Sequence, residues 1–296
     1  MKTVKARYGY FLICGASILW GTMGIFGKLA FEYGISPATL IALRLLISSL
    51  TISIPVVLLK RSLLKTQRFH LLPLLALGVL GTAFQRIAYF YSLDLTTVTT
   101  AAILFYTYPI LVTIYSSLVL KERITPLASF SIILAFVGVA LVVRAYDISQ
   151  LGGSLPGVIL GLLSSILFVF YFVITKRLRR TYANWTLILY GDGIGALITI
   201  PLVLFSLAEI IHYPLQLWLL ILAIAWFPSL LAYLMYSYAL KNIESARGST
   251  LGVLEPLSAA LFSVIILGEA FELPQVAGIA FALTGVALLF TIAREG

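Results

Sequence analysis

The chain has 296 residues, 61% of them hydrophobic and only 10% charged, with a mean hydropathy of +1.08. A soluble domain carries roughly 25% charged residues, so this composition excludes an ordinary soluble protein and puts most of the chain in lipid. The net charge of +9 suggests nucleic acid at first sight, but its placement along the chain removes that reading.

A helix needs about 20 apolar residues to cross the hydrocarbon layer, and lipid-exposed backbone must satisfy its own hydrogen bonds. Apolar runs read against charged and Pro/Gly-marked breaks predict an all-α integral membrane protein with ten transmembrane helices. In chain order the first five are 8–31, 37–59, 71–93, 97–120 and 127–143. The second five are 155–175, 185–205, 217–240, 248–267 and 275–292. Lys2, Lys5 and Arg7 before the first run resemble the start of a signal peptide. That run is long enough to span, lacks a small-x-small cleavage pattern and has a counterpart inside the chain, so it is read as an uncleaved helix. Cys14 is the single cysteine, which rules out an internal disulfide. His70 and His212 fall in loops on opposite sides, so neither a metal site nor a cofactor is expected.

The chain repeats itself at a distance of about 147 residues. Tyr89-Phe90-Tyr91-Ser92-Leu93 returns as Tyr236-Ser237-Tyr238-Ala239-Leu240, and Pro109 as Pro256. Leu120-Lys121-Glu122 returns as Leu267-Gly268-Glu269, and Val137-Gly138-Val139-Ala140-Leu141 as Thr284-Gly285-Val286-Ala287-Leu288. Ser17-Ile18-Leu19 and Lys28 find Ser165-Ile166-Leu167 and Lys176. The two units are 1–146 and 147–296. Five spans per unit is an odd number, so the second enters the membrane inverted, the arrangement of many secondary transporters.

With the N-terminus inside, the inner loops collect Lys2, Lys5, Arg7, Lys60, Arg61, Lys65, Arg68, Lys121, Arg123, Lys176, Arg177, Arg179, Arg180, Lys241, Arg247 and Arg294. The remaining basic residues are Arg144 in an outer loop and Lys28, Arg44 and Arg86 within spans. This bias fixes both termini in the cytoplasm by the positive-inside rule. The charge is therefore topological, in contact at most with anionic headgroups, and no nucleic-acid partner is expected.

Ionisable groups in hydrocarbon cost about 2.5–3.5 kcal/mol each on insertion scales and are functional candidates by default. Arg44 and Arg86 lie roughly 12 Å from the outer ends of their spans at 1.5 Å per residue, and Asp192 and Glu255 lie comparably deep from the inner side. Arg44 aligns within one residue of Asp192, and Glu255 with Tyr108. One reading is a central cavity whose cations and carboxylates hold a zwitterionic or polar solute. The other is that the four charges only neutralise one another and lock the bundle. Asp192 is also a candidate proton carrier. Pro109 and Pro256 interrupt helices and form a hinge or cavity wall, or else packing kinks. Of the many aromatics, Trp20, Tyr89, Tyr106 and Tyr190 are read as cavity-lining. The full predicted substrate-binding set is Trp20, Arg44, Gln85, Arg86, Tyr89, Tyr106, Tyr190, Asp192 and Glu255. Gly21, Gly24, Gly27, Gly191, Gly193 and Gly195 are read as close-packing positions.

Trp20-Gly21, the paired Pro109 and Pro256, Lys121-Glu122-Arg123, Gly268-Glu269 and the following Gly-Val-Ala-Leu segments together resemble the EamA-type permeases of the drug/metabolite transporter superfamily. The resemblance covers almost the whole chain. It implies alternating-access transport of small metabolites across a prokaryotic plasma membrane, with export of amino acids or related compounds foremost, by a monomer or homodimer. The superfamily's small multidrug members depend on a first-helix carboxylate, which is absent here until Glu32. Two rivals follow from the residues. Tyr146-Asp147 and Gly191-Asp192 echo an intramembrane aspartyl protease, but Leu189 stands where its second motif needs glycine, and aspartates on opposite sides cannot share a proton. A channel or a purely structural membrane protein is the other.

Overall fold

The computed structural model describes residues 2–120, 125–239, 252 and 254–292, and every regular element among them is helical. The first expected span is α1 (Lys2–Phe31) and the second α2 (Pro37–Leu59). Ser36 caps α2 by accepting from the Thr39 N–H at 3.1 Å, with Pro37 in the first turn, where its missing N–H costs nothing. The third is composite: α3 (Leu71–Gly78), a π-helical stretch Val79–Phe84, then α4 (Gln85–Leu95). The fourth is broken into α5 (Val98–Phe105) and α6 (Tyr108–Leu120), and the fifth is α7 (Pro126–Val142).

The second half runs α8 (Ile148–Leu178), α9 (Asn184–Phe205) and a short α10 (Leu207–Ile210). It continues with α11 (Leu215–Ile224), a second π stretch Ala225–Leu231 and α12 (Ala232–Ala239), then α13 (Leu254–Leu267) and α14 (Leu273–Ile292). Six helices among the described residues are long and apolar enough to cross a membrane, and four shorter ones, Val98–Val112, Ser129–Val142, Leu254–Leu267 and Leu273–Leu288, are apolar. The Lys121-Glu122-Arg123 motif, the beginning of the 248–267 span, and Lys241, Arg247 and Arg294 lie outside the described residues.

Two local features differ from the expected straight helices. The chain ahead of Pro109 does not kink inside a helix; it stops at Phe105 and restarts at Tyr108. Proline's ring disfavours helical backbone at the preceding residue and suits the first turn of a new helix. Pro256 likewise sits in the first turn of α13. The π stretches are the second feature, and they occupy equivalent places, since Val79–Phe84 shifted by about 147 falls inside Ala225–Leu231.

Packing pairs the halves element by element. α1 lies against α11, α12 and α13, while its counterpart α8 lies against α4, α5 and α6. α2 packs on α9, and α7 on α14. The last contact is a glycine seam: a Cβ on Gly138 would stand 2.3 Å from the Ala282 nitrogen, and one on Gly285 2.6 Å from the Ser131 oxygen. The backbones therefore touch, as small residues permit in lipid where no hydrophobic drive joins helices. Outward-facing side chains are apolar: Phe205 is 86% exposed and Leu273 84%. Hydroxyls tie helices inside, with Thr107 and Ser165 at 2.9 Å and Thr99 and Ser263 at 3.0 Å.

Candidate functional site

The intramembrane charges converge on the seam between the halves. Arg86 opens α4 directly after the first π stretch, and its Nη1 lies 2.8 Å from Oδ1 of Asp192 on α9. Arg44 on α2 is almost fully buried, at 3% exposure. Its Nε donates to Ser229 Oγ at 2.9 Å, and Ser229 lies in the second π stretch. Ser229 passes its own proton to the Ile224 carbonyl at 2.7 Å, a partner five residues back that the π geometry brings within reach. The second π stretch thus presents one group of the cluster, and the first ends two residues ahead of another. π-bulges inside α-helices recur at functional sites.

Arg44 keeps one open valence: its Nη1 is buried without a hydrogen-bond partner among the described residues. Arg44, Arg86 and Asp192 lie within electrostatic reach of one another, so the cluster carries an excess positive charge. Glu255, in the first turn of α13, is a further carboxyl of the core, and no ion pair among the described residues engages it. Buried charges are ordinarily paired, so the unmet Nη1 of buried Arg44 is the exceptional charge among the described residues. Tyr89 on α4 is within electrostatic reach of both Arg44 and Glu255.

Around Glu255 lies a continuous run of aromatic rings. Tyr106 and Tyr108 have ring centroids 5.5 Å apart, and both hydroxyls are within electrostatic reach of Glu255. Tyr108 packs on Phe168 at 4.7 Å, and Phe105 on Tyr89 at 5.5 Å. Trp20 meets Tyr236 at 5.3 Å. One residue beyond Trp20, a Cβ on Gly21 would stand 2.9 Å from the Glu255 carbonyl, so α1 presses on α13 at this point.

Of the sequence-predicted set, Arg44, Arg86, Tyr89, Asp192, Tyr106 and Glu255 are therefore brought together, with Trp20 at the rim and Gln85 buried beside Arg86. Tyr190 goes elsewhere: its hydroxyl donates to the Leu64 carbonyl at 2.8 Å among Leu74, Leu77 and Leu187, toward the basic end. Pro109 and Pro256 follow the tyrosine pair and Glu255, respectively, and fix where those helices begin. Sequence reading missed Ser229 and left the ring partners Tyr108, Phe168 and Tyr236 out of the cavity-lining set. A signal for Ser229 existed: at the repeat distance it faces Thr82, a second hydroxyl inside a π stretch.

The opposite end of the bundle is closed by contacts between halves. Helix α13 ends at Gly268, whose φ of +68° is the left-handed conformation glycine supplies at helix ends. That turn aims Glu269 at the start of α5, where its carboxylate accepts from the Val98 N–H at 2.7 Å and from Thr99 Oγ1 at 3.1 Å. Arg144 pairs with Glu272 at 3.3 Å, and Thr39 meets Ser206 at 3.0 Å, at the same end.

Known proteins agree with this architecture. The EamA-like transporter family matches residues 7–144 and again 155–291. An uncharacterized transporter of Clostridium kluyveri is 27% identical over 94% of this chain and 92% of its own length. One from Archaeoglobus fulgidus is 27% identical, covering 95% of each chain. An uncharacterized inner membrane transporter of Salmonella typhimurium is 27% identical over 98% of each. A solved crystal structure superposes with a TM-score of 0.65 at 19% identity, covering 97% of this chain and 98% of the other, which shows a shared fold. The protein is thus a multi-pass membrane protein of transporter type, and the chain belongs to the EamA-like transporter family.

Proposed function

We propose that this protein is an alternating-access secondary carrier of small zwitterionic or polar metabolites, with export of amino acids and related compounds as the first reading to test. In this reading ten spans form two inverted five-helix units, 1–146 and 147–296, that rock about the charged centre of a prokaryotic plasma membrane. Both termini face the cytoplasm in this reading, which the bias of basic residues supports.

The observation that carries this reading is the buried Arg44 Nη1, without a hydrogen-bond partner among the described residues, together with Glu255, which no ion pair among them engages, and Tyr89 within electrostatic reach of both residues. A zwitterion satisfies both at once, its carboxylate at the guanidinium and its ammonium at Glu255 among the rings, where cation–π attraction adds to the ion pair. The Arg86–Asp192 contact, already satisfied internally, joins the halves, whereas Glu255 has no ion pair among the described residues.

Counterflow uptake of labelled amino acids into proteoliposomes tests the proposal. The parent shows saturable, counterflow-stimulated uptake. Glu255→Gln keeps shape but removes the carboxylate, Arg44→Gln removes the guanidinium, and each lowers uptake at low substrate by about tenfold or more, the equivalent of one charge-assisted hydrogen bond. Flux that rises linearly with concentration indicates a channel, and variants that match the parent reject both residues as ligands.

A further inference from the structure

At the basic end of the bundle two loops from opposite halves are drawn together although both are positively charged. Segment 60–70 carries Lys60, Arg61, Lys65 and Arg68, and segment 176–183 carries Lys176, Arg177, Arg179 and Arg180, with no acid in either. They are held by hydrogen bonds: the Tyr182 hydroxyl accepts from the Gln67 N–H at 2.9 Å and pairs with His70 Nδ1 at 2.9 Å. Thr186 Oγ1 donates to the Leu63 carbonyl at 3.0 Å just beneath. Between the loops lies an open cleft of about 400 Å³, lined by Ser62, Lys65, Thr66, Gln67, Thr181 and Tyr182.

The chemistry of this cleft is that of an anion site. A lysine, several hydroxyls and an amide surround it, and no carboxylate lines it. Short-range repulsion between the two loops is unrelieved by any acid within them, and a bound anion would remove it. Its surroundings say which anion. Leu59, Leu72 and Phe69 beside it are 81%, 74% and 71% exposed, which puts the lip of the cleft at the level where the chain meets lipid. Basic segments at that level attract anionic lipid, and the volume suits a small headgroup.

We propose that this cleft binds the phosphate headgroup of an anionic phospholipid, and that the bound lipid bridges the two halves at their basic end. The site is separate from the charged core, so it stands or falls independently of what the protein carries.

The test uses the full-length protein purified in neutral detergent, its thermal unfolding followed with phosphatidylglycerol, phosphatidylcholine or inorganic phosphate added. Phosphatidylglycerol raises the unfolding midpoint of the parent by about 3 °C or more, as a ligand of the folded state does, and phosphatidylcholine does not. The double variant Lys65→Gln with Thr181→Val loses most of that rise, whereas Lys5→Gln, which removes a charge from the same side of the membrane, keeps it. No rise above phosphatidylcholine, or an equal loss in Lys5→Gln, overturns the site. The same rise with inorganic phosphate at equal concentration overturns the lipid and assigns the cleft to a soluble phosphate. Native mass spectrometry provides a second readout on Lys65→Gln alone: retention of fewer phosphatidylglycerol molecules than the parent is expected, and equal retention refutes the proposal.

Discussion

Arg86 Nη1 and Asp192 Oδ1 lie 2.8 Å apart and join α4 of the first half to α9 of the second in the middle of the bundle. The Asp192 side chain is 8% exposed and that of Arg86 22%. Removing one member of such a pair strands the other, and costs about 3 kcal/mol, toward the lower end for buried pairs because Arg86 keeps some exposure. Asp192→Ala and Arg86→Ala are each expected to lower the unfolding midpoint in detergent more than the double variant Arg86→Leu/Asp192→Leu does. A double variant as unstable as the sum of the singles would show that the contact carries no coupling.

Ser229 is expected to matter well beyond its size. Ser229→Ala removes the acceptor of Arg44 Nε and leaves two buried guanidinium nitrogens unmet, since Nη1 already lacks a partner among the described residues. The expected loss is about 1–3 kcal/mol, measured by chemical or thermal unfolding. Ser229→Thr, which retains the hydroxyl, should recover most of it.

Glu269 caps α5 from across the seam, so Glu269→Gln weakens the grip on the Val98 N–H and Thr99 Oγ1. Loss of a helix cap costs about 0.5–2 kcal/mol. Hydrogen exchange at the amides of 98–100 should accelerate roughly five- to thirtyfold, the factor by which about 1–2 kcal/mol changes a closed-to-open ratio. The α7–α14 amides should be unchanged. Uniform acceleration across the chain would instead indicate global destabilisation.

The glycines are not equivalent. Gly138→Ala drives a methyl to 2.3 Å from the Ala282 nitrogen, against backbone that cannot swing away. A cost of about 1–3 kcal/mol is expected for such overpacking. At Gly193 the nearest atom is Ser49 Oγ at 3.5 Å, ordinary contact, and Gly193→Ala should be tolerated. Expression level and thermal midpoint of the two variants distinguish them.

Much of the architecture was legible because it depends on burying apolar length. The expected bounds of α2 at Pro37 and Leu59 are those observed, since Pro37, Ser36 and the basic run from Lys60 mark them chemically. The duplication also foretold paired prolines, whereas the seam at Gly138 and Gly285 appeared in the sequence only as an aligned pair of segments. The broken fourth span and the π stretches were not legible. An extra residue within a helix leaves the apolar pattern of a span unchanged, because lipid-facing helices are apolar on every side and show no phase to disturb.

The same limit applies to the core. Sequence alone singled out Arg44, Arg86, Asp192 and Glu255 as charges within expected spans, because the cost of burying charge makes each of them conspicuous in an apolar run. Only the tertiary structure decided their roles. Partner choice depends on which helices cross and on the turn by which each π stretch rotates its side chains. Arg86 was thereby given to Asp192, Arg44 to Ser229, and Tyr190 to Leu64 at the basic end. Glu255 was left without an ion pair among the described residues, within electrostatic reach of Tyr89, Tyr106 and Tyr108.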